Sequence, residues 1–251
     1  MGTHPTPTAD CLLPTALETQ VRRADEDRWL ASRFASAAVR ERLIALYALN
    51  DELARTAEVV STPALADIRL AWWGEAIAEV YEGRRARANP VIAAFAGARE
   101  GAGWPQAEIE ALIDAWRRDV GRDAPENWAA LDAHVDASAG RLMRLALQAC
   151  GAEVDENAIT SIARAWGYIA WARAGRPLPT GETHFALLDR AETSYAEARM
   201  RARALPASAF PALGYASLIG GYIRALRQGR RDRPLIARQL RLIAAAATGR
   251  L

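Results

Sequence analysis

The chain has 251 residues and no lysine; all 32 of its basic residues are arginine. Thirty acids offset them and leave a net charge of +2, too little for a strong overall field toward nucleic acid or a membrane. Cysteine is almost absent. Cys11 and Cys150 form no CxxC pair, zinc spacing or disulfide framework, so a reduced compartment is the plain expectation. Of three histidines, His4 and His184 have no metal partner one helical turn away. No apolar run is long enough for a transmembrane helix. The first residues lack both a charged segment leading into an apolar core and an arginine-rich amphipathic face, so neither a secretory signal nor a transit peptide is expected. Strict alternation of apolar and polar residues is missing, which argues against strands. GxSxG, P-loop and GxGxxG patterns are missing too.

What the chain does have is helical spacing nearly everywhere, with Gly and Pro as punctuation. Residues 1–14 are rich in Pro and Thr and read as a flexible tail. Residues 15–251 read as one all-α domain of about ten helices, with no internal repeat or linker. The expected helices cover about 15–35, 37–60, 62–82, 90–102, 105–121, 125–150, 155–174, 184–204 and 207–228, with a last one after Pro234. Thr62-Pro63, Asn89-Pro90 and Asp155 are start signals. The second helix carries a buried stripe that includes Tyr47, Asn50, Leu53 and Ala57. The third presents a broad inner face from Leu65, Ile68 and Arg69 through Trp72 and Trp73 to Val80.

Arg42 to Glu82 carries the most information. Its text, RLIALYALNDELARTAEVVSTPALADIRLAWWGEAIAEVYE, resembles the squalene/phytoene synthase family, helical enzymes that join two isoprenoid diphosphates. The resemblance spans roughly residues 20–225 and implies an isoprenoid-synthase-type bundle around a central cavity. Those enzymes hold Mg²⁺ against diphosphate with two Asp-rich motifs, because ionising an allylic diphosphate requires stabilising a highly charged leaving group. The first motif, in the phrase YAFCRxxDDIxD, aligns from Tyr47, so its two leading aspartates fall on Ala54 and Arg55 and only Glu58 keeps a carboxylate. Asp51 and Glu52 lie about 100° apart around the helix. Asp51–Arg55 and Arg55–Glu58 read as ordinary ion pairs. The second motif aligns with Gly167 to Arg176, where Arg173 matches but no acid follows before Glu182. Leu49 to Ala54 and Ile68 to Trp73 are more similar to a divergent branch that includes a phytoene-synthase-like complex I assembly factor.

The resemblance thus implies a catalytically degenerate protein with no catalytic residue, metal ligand or cofactor, serving as a binding or respiratory-complex assembly protein. The alternative is a divergent prenyltransferase whose magnesium is held by Asp51, Glu52 and Glu58 on one side and Asp132 or Asp136 on the other. The cavity or ligand-binding set is Arg33, Tyr47, Asn50, Arg69, Trp73, His134 and Arg173. The inner-face arginines need acids such as Asp67, Glu75 or Glu58, or an anionic headgroup. Trp72, Trp73, Trp166 and Trp171 could line an apolar tunnel for an isoprenoid or lipid, or fill it as core. Three basic loops, at Arg84-Arg85-Arg87, Arg117-Arg118-Arg122 and Arg230-Arg231-Arg233, could touch anionic lipid or an acidic partner such as a respiratory-complex subunit, or be solvated helix ends. The expected place is the cytoplasm, with peripheral contact at the inner membrane; a nucleic-acid partner is not expected.

Overall fold

A computed structural model describes residues 15–59, 62–121, 123–202 and 205–250, without the side chains of Glu58 and Val59. The expected tail, with His4 and Cys11, lies outside the described residues.

Every regular element among the described residues is helical. The helix expected over 15–35 is broken at Asp25 into α1 (Ala16–Ala24) and α2 (Glu26–Ser32). Asp25 has φ −145° and ψ 82°; its N–H donates to the Val21 carbonyl, ending α1, while its carboxylate accepts the Arg28 N–H at 3.0 Å, starting α2. That break turns Asp27, Arg28, Leu30 and Ala31 inward. It leaves Arg33 exposed, paired with Glu18 at 3.6 Å and lying over the Trp29 ring.

Next come α3 (Ala37–Val59) and α4 (Pro63–Tyr81), the latter with Pro at its first position. The inner face expected for α4 is too broad. The buried stripe is Ala66, Leu70, Trp73, Ala76, Ile77 and Val80, while Leu65, Ile68, Arg69 and Trp72 face outward. Helices α5 (Pro90–Ala102), capped by Asn89, and α6 (Gln106–Arg117) follow. The single helix expected over 125–150 is α7 (Trp128–Val135), one π-helical turn (Asp136–Gly140) and α8 (Arg141–Ala149). Within that turn the Ser138 hydroxyl donates to the His134 carbonyl at 2.7 Å.

Helix α9 (Glu156–Arg173), capped by Asp155 through the Ala158 N–H, is buried on nearly every side, as an all-round apolar helix must be. Gly167 lets α7 come close: a Cβ there would overlap Val135 Cγ1. Helix α10 (His184–Arg201) runs along α9. The helix expected over 207–228 is instead a 3₁₀ turn (Ala207–Ala209), α11 (Phe210–Leu213), a second 3₁₀ turn (Gly214–Leu218) and α12 (Ile219–Arg227). Pro211 and Gly214, the latter packed against the Phe210 ring, fragment it. Helix α13 (Leu235–Thr248) closes the described fold. None of these helices is long and apolar enough to cross a membrane, among the described residues.

Candidate ligand cavity

Helices α2, α3, α6, α7, α9 and α13, together with the π turn and the Arg231–Asp232 loop, surround an open cavity of about 710 Å³. Trp166 and Trp171 line it without filling it. Trp73 is instead buried in the packing of α4, and Trp72 faces outward; no residue of α4 borders the cavity. Of the residues singled out from sequence, Asn50, His134 and Arg173 border it, and Tyr47 borders an adjoining cleft of about 200 Å³. Arg33, Arg69 and Trp73 do not; the break at Asp25 and the rotation of α4 carry them elsewhere. Arg69 makes no ion pair among the described residues, so neither Asp67 nor Glu75 reaches it.

Three polar groups shape the cavity. Near α13, Asp27 is fully enclosed, accepting the Tyr222 hydroxyl at 2.5 Å and Arg238 Nη1 at 2.8 Å. Arg238 also binds Glu26 at 2.5 Å. Arg173 lies over the Tyr222 ring at 4.6 Å and binds Asp232 at 2.6 Å, with Asp27 at 4.0 Å. Burial pushes the Asp27 pKa up, helped by the charge of Asp25 and opposed by the hydrogen bonds from Tyr222 and Arg238. The partners expected for Arg173 are thus replaced by two acids distant in sequence.

On the α3 side, the Arg28 guanidinium is enclosed by the rings of Tyr215 at 5.0 Å and of Tyr47 and Trp166 at 5.9 Å, with Asp25 at 2.5 Å. Arg28 Nε and the Tyr47 hydroxyl are buried without a hydrogen-bond partner. On the third side, Trp116 Nε1 donates to Asn50 Oδ1 at 3.1 Å. Arg176 forms a buried bidentate pair with Asp119 and stacks on Trp171 at 3.8 Å. His134 meets the edge of Trp171 and lies 3.7 Å from Asp119. Burial lowers the His134 pKa; Arg176 and Arg118 act the same way and Asp119 opposes them.

Of the carboxylates weighed as metal ligands, the four whose side chains are described each have a protein partner. Asp51 does not pair with Arg55: Gln20 Nε2 donates to both Asp51 and Glu52 at 2.9 Å, and Arg55 meets Glu52 at 3.5 Å. The Glu58 side chain lies outside the description. Asp132 accepts from Tyr168 and Arg190, and Asp136 from Arg164; these partners border a separate cleft along α9 and α10. The cavity side of α9 and its C-cap presents Trp166, Gly167, Ala170, Trp171, Arg173 and Ala174, with no carboxylate among them. Among the described residues, no three His, Cys, Asp or Glu side chains gather as a metal site. Sequence reasoning missed Asp27, Arg28, Arg176 and Arg238. For the first two a signal existed, since a helix restarting at Asp25 puts both on the side of Leu30 and Ala31.

The all-helical bundle is of the isoprenoid synthase type, and two solved structures share the fold. A dehydrosqualene synthase in complex with ligand superposes with a TM-score of 0.75 at 14% identity, covering 92% of this chain and 94% of its own. The squalene synthase HpnC from Alicyclobacillus acidocaldarius superposes with a TM-score of 0.66 at 18% identity, covering 86% and 96%. No curated protein matches significantly in sequence. The family profile described as squalene/phytoene synthase matches residues 21–177, and the chain belongs to that family.

Proposed function

We propose that this member of the family is catalytically degenerate and uses its cavity to bind rather than to join isoprenoid diphosphates. The observation that carries this reading is the cavity side of α9. It offers indoles, small side chains and the Arg173 guanidinium where an opposed pair of magnesium ions would need oxygen ligands. Across from it, α3 brings Asp51, Ala54 and Arg55 to the adjoining cleft, where Gln20 holds the Asp51 carboxylate. The cavity's own acids are tied up: Asp25 with Arg28, Glu26 and Asp27 with Arg238, and Asp232 with Arg173. This donor set does not fit a two-ion magnesium cradle, so no chemical step is assigned to one. Indoles beside arginines suit a ligand with an apolar body and an anionic head, such as an isoprenoid or lipid.

The finer part of the reading is service in assembly of a respiratory complex, from the cytoplasm or the inner-membrane surface and without a cofactor. Its support is the resemblance of Leu49–Ala54 and Ile68–Trp73 to the assembly-factor branch. It also draws on the outward position of Leu65, Ile68 and Trp72 on α4, where a protein partner could seat.

Purified protein should release no pyrophosphate from farnesyl or geranylgeranyl diphosphate, with or without Mg²⁺. Turnover that EDTA abolishes would overturn the reading in favour of a divergent prenyltransferase. In cells, removing the protein should lower the amount of assembled NADH-oxidising complex on native gels; an unchanged amount would remove the assembly role.

A further inference from the structure

Helix α13 is amphipathic in an inverted sense. Leu242 and Ala245 are buried beneath it, and its two arginines hold it down: Arg238 binds Glu26 and Asp27, and Arg241 Nε donates to the Ser217 carbonyl at 3.1 Å. Its outer side presents Ile236, Leu240 and Ile243, which are 69%, 63% and 58% exposed. Their spacing of i, i+4 and i+7 makes one continuous stripe, and Ala247 extends it. Burying apolar side chains is favourable, so a stripe of this kind on a helix already docked through its other side is a candidate contact surface.

The charge around it is lopsided. Residues 228–251 hold six arginines and one acid, Asp232, a net +5. The other 227 residues hold 26 arginines and 29 acids, a net −3. The stripe is bracketed by Arg230, Arg231 and Arg233 at one end and Arg250 at the other, about 21 Å apart along a 14-residue helix. None of these four makes an ion pair among the described residues. The other two basic loops differ: Arg84 and Arg87 pair with Glu79, and Arg117 with Asp114.

We infer that this face of α13 docks onto an anionic lipid surface, with the Ile-Leu-Ile stripe in the headgroup boundary and the bracketing arginines on the lipid anions. A lipid surface fits better than an acidic protein groove. The apolar band is one helix wide, no carboxylate lies between Arg233 and Leu251, and the cations at its two ends can meet lipid anions while the band enters the headgroup boundary. Arg231, Asp232 and Arg238 also border the cavity, so docking sets the cavity mouth against the membrane.

The test is co-sedimentation of the whole protein with vesicles of mixed phosphatidylglycerol and phosphatidylcholine, against vesicles of phosphatidylcholine alone. Partitioning onto the anionic vesicles should be at least about tenfold stronger and should fall steeply toward 0.5 M salt. Replacing Arg230→Gln or Arg250→Gln should each weaken it roughly fivefold. The pair Leu240→Ser with Ile243→Ser should weaken it about tenfold with the thermal midpoint unchanged, because both side chains are exposed. The pair Leu65→Ser with Ile68→Ser, on the other exposed stripe, should have no effect. Equal binding to neutral vesicles, loss through the α4 pair instead, or an α13 pair that alters only self-association would each overturn the inference. So would wild-type protein that stays in the supernatant. None of these readouts depends on pyrophosphate release, so this inference and the binding-protein reading fail separately.

Discussion

The Tyr222 hydroxyl donates to Asp27 Oδ2 at 2.5 Å and ties α12 to α2 inside the fold. Asp27 is 2% exposed and depends on this donor and on Arg238. Tyr222→Phe keeps the ring beneath Arg173 and removes only the donor. A buried carboxylate deprived of one partner should cost about 1–3 kcal/mol, measured by urea denaturation. Asp27→Ala strips partners from Arg238, Arg173 and Tyr222 together and should cost more, about 3–5 kcal/mol. A Tyr222→Phe protein as stable as wild type would mean that Arg238 alone satisfies Asp27.

That bond also marks where local sequence reasoning stops. Helix starts at Pro63, Asn89 and Asp155 were legible because each is a local signal: a fixed φ, or a side chain that can accept a nearby N–H. Asn50 was legible as an inward polar residue on a strongly periodic helix. The face of α4 was not, because Leu65, Ile68 and Trp72 share a helical period with Ala66, Leu70 and Trp73, and spacing alone cannot choose between two apolar stripes. Nor could spacing find acids for Arg173, since Asp232 is 59 residues away and Asp27 comes from the opposite end of the chain. The π turn at Asp136–Gly140 has no turn residue to announce it apart from Gly140.

Tyr47 behaves oppositely to Tyr222. Its ring is buried in the core of α3, but its hydroxyl has no partner. The fold bears the desolvation of that oxygen without a compensating bond, so Tyr47→Phe should leave stability unchanged or raise it by about 1 kcal/mol. A loss beyond about 1 kcal/mol in thermal or urea unfolding would mean the hydroxyl is bonded in solution.

Asp119 and Arg176 form the most enclosed ion pair of the cavity wall, at 4% and 8% side-chain exposure. Removing one member leaves the other charge buried without its partner, so Asp119→Leu or Arg176→Met should each cost about 3–5 kcal/mol. Replacing both at once restores a matched, apolar wall and should cost less than either single change. A double variant as unstable as the sum of the singles would show that packing against Trp171, rather than charge, is what Arg176 provides.

His134 gives the cavity wall a pH dependence of defined sign. Burial comes first among the influences that lower its pKa, Arg176 and Arg118 add to it, and Asp119 pulls the other way. The folded chain therefore disfavours the protonated ring more than the unfolded chain does. Once pH falls below the ordinary histidine value of about 6.5, unfolding takes up a proton that the fold resists. Stability contributed by the neutral ring is complete above that pH and is lost as pH falls through the lowered value. Melting curves taken from pH 8 down to pH 5 should show wild-type stability declining below about pH 6.5, and His134→Asn should decline less over the same span. A His134→Asn protein with an unchanged slope would place the titration on another group. A steeper wild-type gain in stability on acidification would reverse the sign, meaning that Asp119, 3.7 Å away, outweighs burial at this ring.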